Sequence, residues 1–88
     1  MLIDIEDVCR TVGLVLGRRE TRADDRLEED LGAESIDVLN IMVTLEQKYD
    51  RSIPETAMAG VSTVRDLYDV VVSSPHGATG PADPARTA

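Results

Sequence analysis

Apolar residues in this chain recur at spacings of three and four, and no stretch alternates them with polar residues over the length of a strand. A period near 3.6 marks an amphipathic helix, whereas a period of two marks a half-buried strand. Ile5, Val8, Cys9, Val12, Val15 and Leu16 share one helical face, which predicts a first helix over residues 4–16. Asp4 stands where a capping acceptor is wanted, Asp7 follows in a capping-box relation, and Gly17 supplies the stop. Gly13 weakens the interior by about 0.5–1 kcal/mol relative to alanine. Between residues 35 and 50 one helix carries two stripes: Val38, Met42, Leu45 and Tyr49 on one side, and Ile36, Leu39 and Val43 on another. Ile53-Pro54 ends it, because proline cannot continue the hydrogen-bond ladder and restricts its predecessor. A short helical turn over residues 56–59, closed by Gly60, precedes a capping box at Thr63-Val64-Arg65-Asp66. Val64, Leu67, Tyr68 and Val71 then make the apolar face of a last helix ending near Ser73. Val70-Val71-Val72 favours a strand by propensity, but its surroundings keep the helical period. The expected fold is all-α: a small four-helix bundle, three longer helices and one short, with a long loop between helices 1 and 2.

Eighty-eight residues suffice for one domain. Its expected extent is residues 1–73, with residues 74–88, rich in Pro, Gly, Ala, Ser and Thr, a disordered tail. Phe and Trp are absent, and Tyr49 and Tyr68 are the only aromatics, so Val, Ile, Leu and Met must build the core. The charged connection over residues 17–32 is long for so small a domain, which implies a functional loop or a crossing of the bundle. Leu27 and Leu31, four apart, are its expected anchors to the core.

The formal charge is −8, from 17 acids and nine bases. Such a surface repels nucleic acid and anionic membranes and favours partners with basic patches. Cys9, the single cysteine, cannot close an internal disulfide and is expected on a buried helical face in a structural role. The first residues carry Asp4, Glu6 and Asp7 where a signal peptide would be basic, and no apolar run reaches membrane-spanning length. A soluble, cytoplasmic monomer is expected. Catalysis finds no support: His76, the one histidine, falls in the tail, and no triad, phosphate loop or metal-ligand spacing is present. The acids from Asp24 onward lack the alternation and the glycine of an EF-hand.

One position stands out within Leu31-Gly32-Ala33-Glu34-Ser35-Ile36-Asp37. Ser35 offers a hydroxyl at a helix start, among acids, with nothing nearby to activate it as a nucleophile. As a plain N-cap it would contribute about 0.5–2 kcal/mol. The surrounding stretch, about residues 27–72, resembles the acyl carrier proteins of fatty-acid and polyketide synthesis, and the first helix fits as well. The likeness rests on Glu34-Ser35-Ile36 at the start of the second helix, on Tyr49 before Ile53-Pro54-Glu55, and on Thr63-Val64 opening the last helix. This resemblance implies a non-catalytic phosphoprotein carrier. A phosphopantetheinyl transferase would attach 4′-phosphopantetheine from coenzyme A to Ser35, and acyl groups would ride as thioesters on its thiol. It also implies a partner surface of Ile36, Leu39 and Val43 rimmed by Glu34, Asp37 and Glu46. A ketosynthase, an acyltransferase or acyl ligase, and other pathway enzymes with basic surfaces would read it.

The sequence departs from the family pattern in places. Glu34 stands where Asp is usual and Ile36 where Leu is usual, while Asn40 and Gln47 thin the acidic face. Arg18, Arg19, Arg22 and Arg26 make the preceding loop unusually basic. These departures favour a polyketide, antibiotic or related secondary-metabolite carrier over the housekeeping fatty-acid carrier. Two other readings remain open at this point. One is a peptidyl or aryl carrier of non-ribosomal synthesis, which Gly32-Ala33-Glu34 and the acidity argue against; the other is an acidic helical adaptor that is never modified.

Overall fold

A computed structural model describes residues 3–18 and 20–75. Arg19, His76 and the remainder of the expected tail lie outside the described residues. Four helices follow in order: α1 (Ile5–Leu16), α2 (Ser35–Tyr49), α3 (Glu55–Met58) and α4 (Val64–Ser73). The bundle expected from the periodicity is the fold observed, with α1 packed on both α2 and α4 and the short α3 against α4. The short helix begins at Glu55, one residue ahead of expectation, because Pro54 is already extended and serves as its N-cap.

Each end of α1 is set by the residue expected there. The Asp4 carboxylate accepts the Glu6 N–H at 3.1 Å, and Gly17 takes the left-handed conformation at φ 71°. Asp7 closes no box with Asp4; its carboxylate turns to the Arg10 guanidinium one turn on. Gly13 has a steric purpose, since an added Cβ would come within 3.1 Å of the Arg18 carbonyl oxygen as the chain folds back after α1. Cys9 is half-buried, and burial pushes its thiol above the ordinary range.

The aliphatic core is centred on Val8, Val12, Ile41, Leu45, Val64, Leu67 and Val71. Leu27 and Leu31 are buried in it, as expected of anchors, and so is Ala33. The loop is pinned to the start of α4 by backbone bonds. Leu27 N–H donates to Ser62 C=O at 2.8 Å, Val64 N–H to Asp25 C=O at 3.1 Å and Arg65 N–H to Ala23 C=O at 2.9 Å. At the other end, Ser74 and Pro75 pack back on the domain. Ser74 is buried, and Pro75 C=O accepts the Ser52 N–H at 3.0 Å.

Candidate functional site

The segment leading into α2 is a compact, self-bonded turn. Leu31 N–H donates to Arg26 C=O at 3.1 Å, Gly32 N–H to Glu28 C=O at 3.1 Å and Ala33 N–H to Leu27 C=O at 2.8 Å. Gly32 adopts φ 68°, a conformation in which a side chain is strained. Asp30 accepts the Arg26 N–H at 2.8 Å, and this bond together with the Arg26 guanidinium holds its carboxyl below the usual carboxylate range. The turn therefore delivers residue 35 in a fixed direction.

Glu34, in the extended region, is the N-cap of α2, and Ser35 is the first helical residue. The Asp37 carboxylate reaches back to accept the Glu34 N–H at 2.9 Å, satisfying a donor the helix cannot. Ser35 is thus not the cap that a lone serine at a helix start suggests. It is exposed, and among the described residues no hydrogen bond engages its hydroxyl.

Two shallow depressions meet at Ser35. One, of about 330 Å³, runs towards the loop and is lined by Leu27, Glu28, Glu29, Val61 and Ser62. The other, of about 280 Å³, runs along α2 and is lined by Leu39, Met42 and Glu55. Val38, Met58 and Ala59 border both. Apart from Leu27, the loop and α3 residues in this lining carry no periodic signal, so the sequence alone does not single them out; for those of α3, only a position after Pro54 hints at it.

The two stripes of α2 part company as expected. Met42, Leu45 and Tyr49 are buried and Val38 is half-buried at the cleft. Ile36, Leu39 and Val43 are 57%, 44% and 40% exposed. Glu34 is exposed beside them and Asp37 half-exposed. Glu46 is half-buried, with its carboxylate accepting the Ile53 N–H at 2.8 Å. Asn40 and Gln47 are exposed on the same helix. Among the described residues no group of histidine, cysteine and acidic side chains could hold a metal ion, and no helix is long and apolar enough to cross a membrane.

Helix order, an exposed serine opening the second helix and a cleft beside it are compatible with a carrier domain, and comparison with known proteins shows the class. The family model described as "phosphopantetheine attachment site" matches residues 6–71. An acyl carrier protein of Prochlorococcus marinus (strain MIT 9515) is 34% identical over 69 residues, covering 76% of this chain and 86% of that protein. Another, from Sulfurovum sp. (strain NBC37-1), is 40% identical over 52 residues, covering 59% and 69%. Among solved structures, a candidate acyl carrier protein from Mycobacterium tuberculosis superposes with a TM-score of 0.72 at 27% identity, covering 78% of this chain and 96% of that one. The solution structure of oxytetracycline acyl carrier protein gives 0.68 at 22% identity, with 100% and 99% covered, a likeness of fold. The chain belongs to the acyl carrier proteins. It is a non-catalytic carrier whose prosthetic group is 4′-phosphopantetheine, and proteins of this family are loaded by a phosphopantetheinyl transferase and used by pathway enzymes.

Proposed function

We propose that Ser35 is the attachment point and that the chain carries acyl intermediates of a polyketide or related secondary-metabolite pathway. The observation that carries the first half is the state of Ser35: exposed, uncommitted to any hydrogen bond among the described residues, and seated between the two depressions. The phosphodiester formed on its oxygen would stand at the N-terminal end of α2, where unpaired N–H groups and the helix dipole favour negative charge. The thiol of the bound arm supplies the thioester chemistry. What this chain supplies is placement: Val38, Leu39, Met42 and Met58 offer apolar surface beside the attachment point.

Ile36, Leu39 and Val43 form the contact stripe in this reading, and Glu34, Asp37 and Glu46 its charged rim. The rim speeds encounter with basic partner surfaces, and the small stripe keeps each complex short-lived. Preference for a secondary-metabolite pathway over fatty-acid synthesis rests on Asn40 and Gln47, two uncharged residues thinning the acidic face, and on Arg18, Arg22 and Arg26 in the preceding loop. A monomer working in the cytoplasm completes the reading, with a ketosynthase, an acyltransferase or an acyl ligase among its partners.

Incubating the chain with coenzyme A and a promiscuous transferase, then measuring intact mass, tests the attachment. The wild type should gain one phosphopantetheine and Ser35→Ala none; a gain on Ser35→Ala would move the site elsewhere. The thioester found by mass spectrometry on the chain isolated from its native host tests the pathway, and a simple saturated chain as the main cargo would assign it to fatty-acid synthesis.

A further inference from the structure

The connection between α2 and α3 is fastened from two directions. From α2, the Glu46 carboxylate accepts the Ile53 N–H at 2.8 Å, and the Glu46 C=O accepts the Arg51 N–H at 3.0 Å. From the end of the described chain, Pro75 C=O accepts the Ser52 N–H at 3.0 Å, and Ser74 C=O accepts Arg51 Nη1 at 2.8 Å. Ser74 is itself anchored, its hydroxyl donating to Val70 C=O at 2.6 Å. Arg51 Nε is buried with no partner among the described residues, so the contact to Ser74 is what orients the guanidinium.

These bonds act on a part of the fold whose other hold is the packing of half-buried Ala57 and Met58 on the core and the contact of α3 with α4. α3 is four residues long and contributes no buried residue. A single turn cannot sustain itself in water, because helix nucleation is unfavourable until many bonds form. Its place is therefore set by that packing and by where the chain enters and leaves. Entry is through Ile53, buried in the core, and Pro54, whose ring fixes φ. Glu55, Met58 and Ala59 then line the apolar depression at Ser35.

We infer that Glu46, together with the Arg51–Ser74 and Ser52–Pro75 contacts, forms a clasp that positions α3 and so sets the opening of the depression beside Ser35. The functional consequence rests on the carrier reading above; the mechanical claim does not. Glu46 is then a positioning residue as well as a charge on the rim, and the two roles separate chemically. A glutamine keeps an oxygen able to accept the Ile53 N–H but carries no charge, whereas an alanine removes both.

The test is site-resolved amide hydrogen exchange on the full chain for wild type, Glu46→Ala, Glu46→Gln and Arg51→Ala, with phosphopantetheine loading followed by mass on the same samples. Glu46→Ala should speed exchange at Ile53 and across residues 56–61 about tenfold, and Glu46→Gln by no more than about threefold, with α1 and α4 unchanged in both. Arg51→Ala should speed exchange at Ser52 and residues 56–61 in the same local way. Glutamine and alanine alike in exchange would overturn the bond in favour of charge. Unchanged exchange over residues 56–61 in both Glu46→Ala and Arg51→Ala would overturn the clasp, as would a rise spread evenly over all helices. Should Glu46→Ala fail to fold, Arg51→Ala and Glu46→Gln decide the matter. Failure of the wild type to load counts against the carrier reading alone, since the exchange pattern is independent of it.

Discussion

Two substitutions three residues apart on α2 should have opposite consequences. Leu39 is 44% exposed. Full burial of a leucine contributes about 1.5–3 kcal/mol, so with roughly half of that realised, Leu39→Glu should lose about 1–1.5 kcal/mol. A domain of this length has about 4–13 kcal/mol in total, so the variant stays folded, with Tm lowered by about 4–10 °C. Met42 is 8% exposed, and Met42→Asp puts a carboxylate among Val38, Leu45 and their neighbours with no cation to pair with. An unpaired buried charge costs several kcal/mol after relaxation, and the lost thioether packing adds to that, which brings the sum level with the whole stability. Far-UV circular dichroism should show a cooperative melt for Leu39→Glu and none for Met42→Asp. Loading by the transferase should slow about 5–30-fold in Leu39→Glu, the factor corresponding to one or two kcal/mol of lost contact. Loading of Leu39→Glu at the wild-type rate would remove the exposed stripe from the partner surface. A cooperative melt of Met42→Asp near the wild-type temperature would show that α2 does not bury that face.

Other perturbations probe the scaffold. Gly32 stands at φ 68° with nothing within 4 Å of an added Cβ, so Gly32→Ala should cost the backbone strain alone, about 1–2 kcal/mol, read as a drop in Tm with loading retained. Asp66 accepts the N–H groups of Ser62 at 2.9 Å and Thr63 at 3.0 Å, which hold its carboxyl below the ordinary range. Its contribution is therefore complete above the unfolded value, about pH 3.9, and is lost as pH falls through the lower folded value. Asp66→Asn should be less stable than wild type at neutral pH and converge with it in acid; a gap constant with pH would refute that assignment.

The helices, and the residues that cap α1 and α4, were legible because their signals are local. Asp4, Gly17, Thr63 and Asp66 each act within four residues of their own position, and the observed bonds are those their chemistry allows. Long-range bonds were not legible. The docking of residues 23–27 on the start of α4 runs through backbone N–H and C=O groups, which every residue has and no sequence pattern advertises. The same holds for the packing of Ser74 and Pro75, whose composition reads as tail. Ile41 escaped for a different reason. It stands three after Val38 and four before Leu45, within the inner face, yet a minimal stripe of Val38, Met42, Leu45 and Tyr49 already satisfies the helical period. The structure buries Ile41 completely, because α2 packs on both α1 and α4 and two neighbours cover a wider arc than one stripe describes.

The position of Ser35 follows from the same geometry. At 100° per residue, Ser35 lies on α2 between the directions of Met42, seven residues on, and Leu39, four residues on. Met42 belongs to the buried face and Leu39 to the exposed one, so Ser35 sits on the ridge where the two stripes meet. A group attached there could lie inward, along the depression lined by Met42 and Met58, or swing outward over Ile36 and Leu39, with no change in the helix itself. Neither stripe alone would give that choice. A helix with one apolar face could shelter a cargo or dock a partner, and the second stripe lets the proposed attachment point serve both. The lone serine and the surplus stripe are therefore one feature of α2, and α3, standing at the inner side of that ridge on its clasp, is where the balance between the two directions would be set.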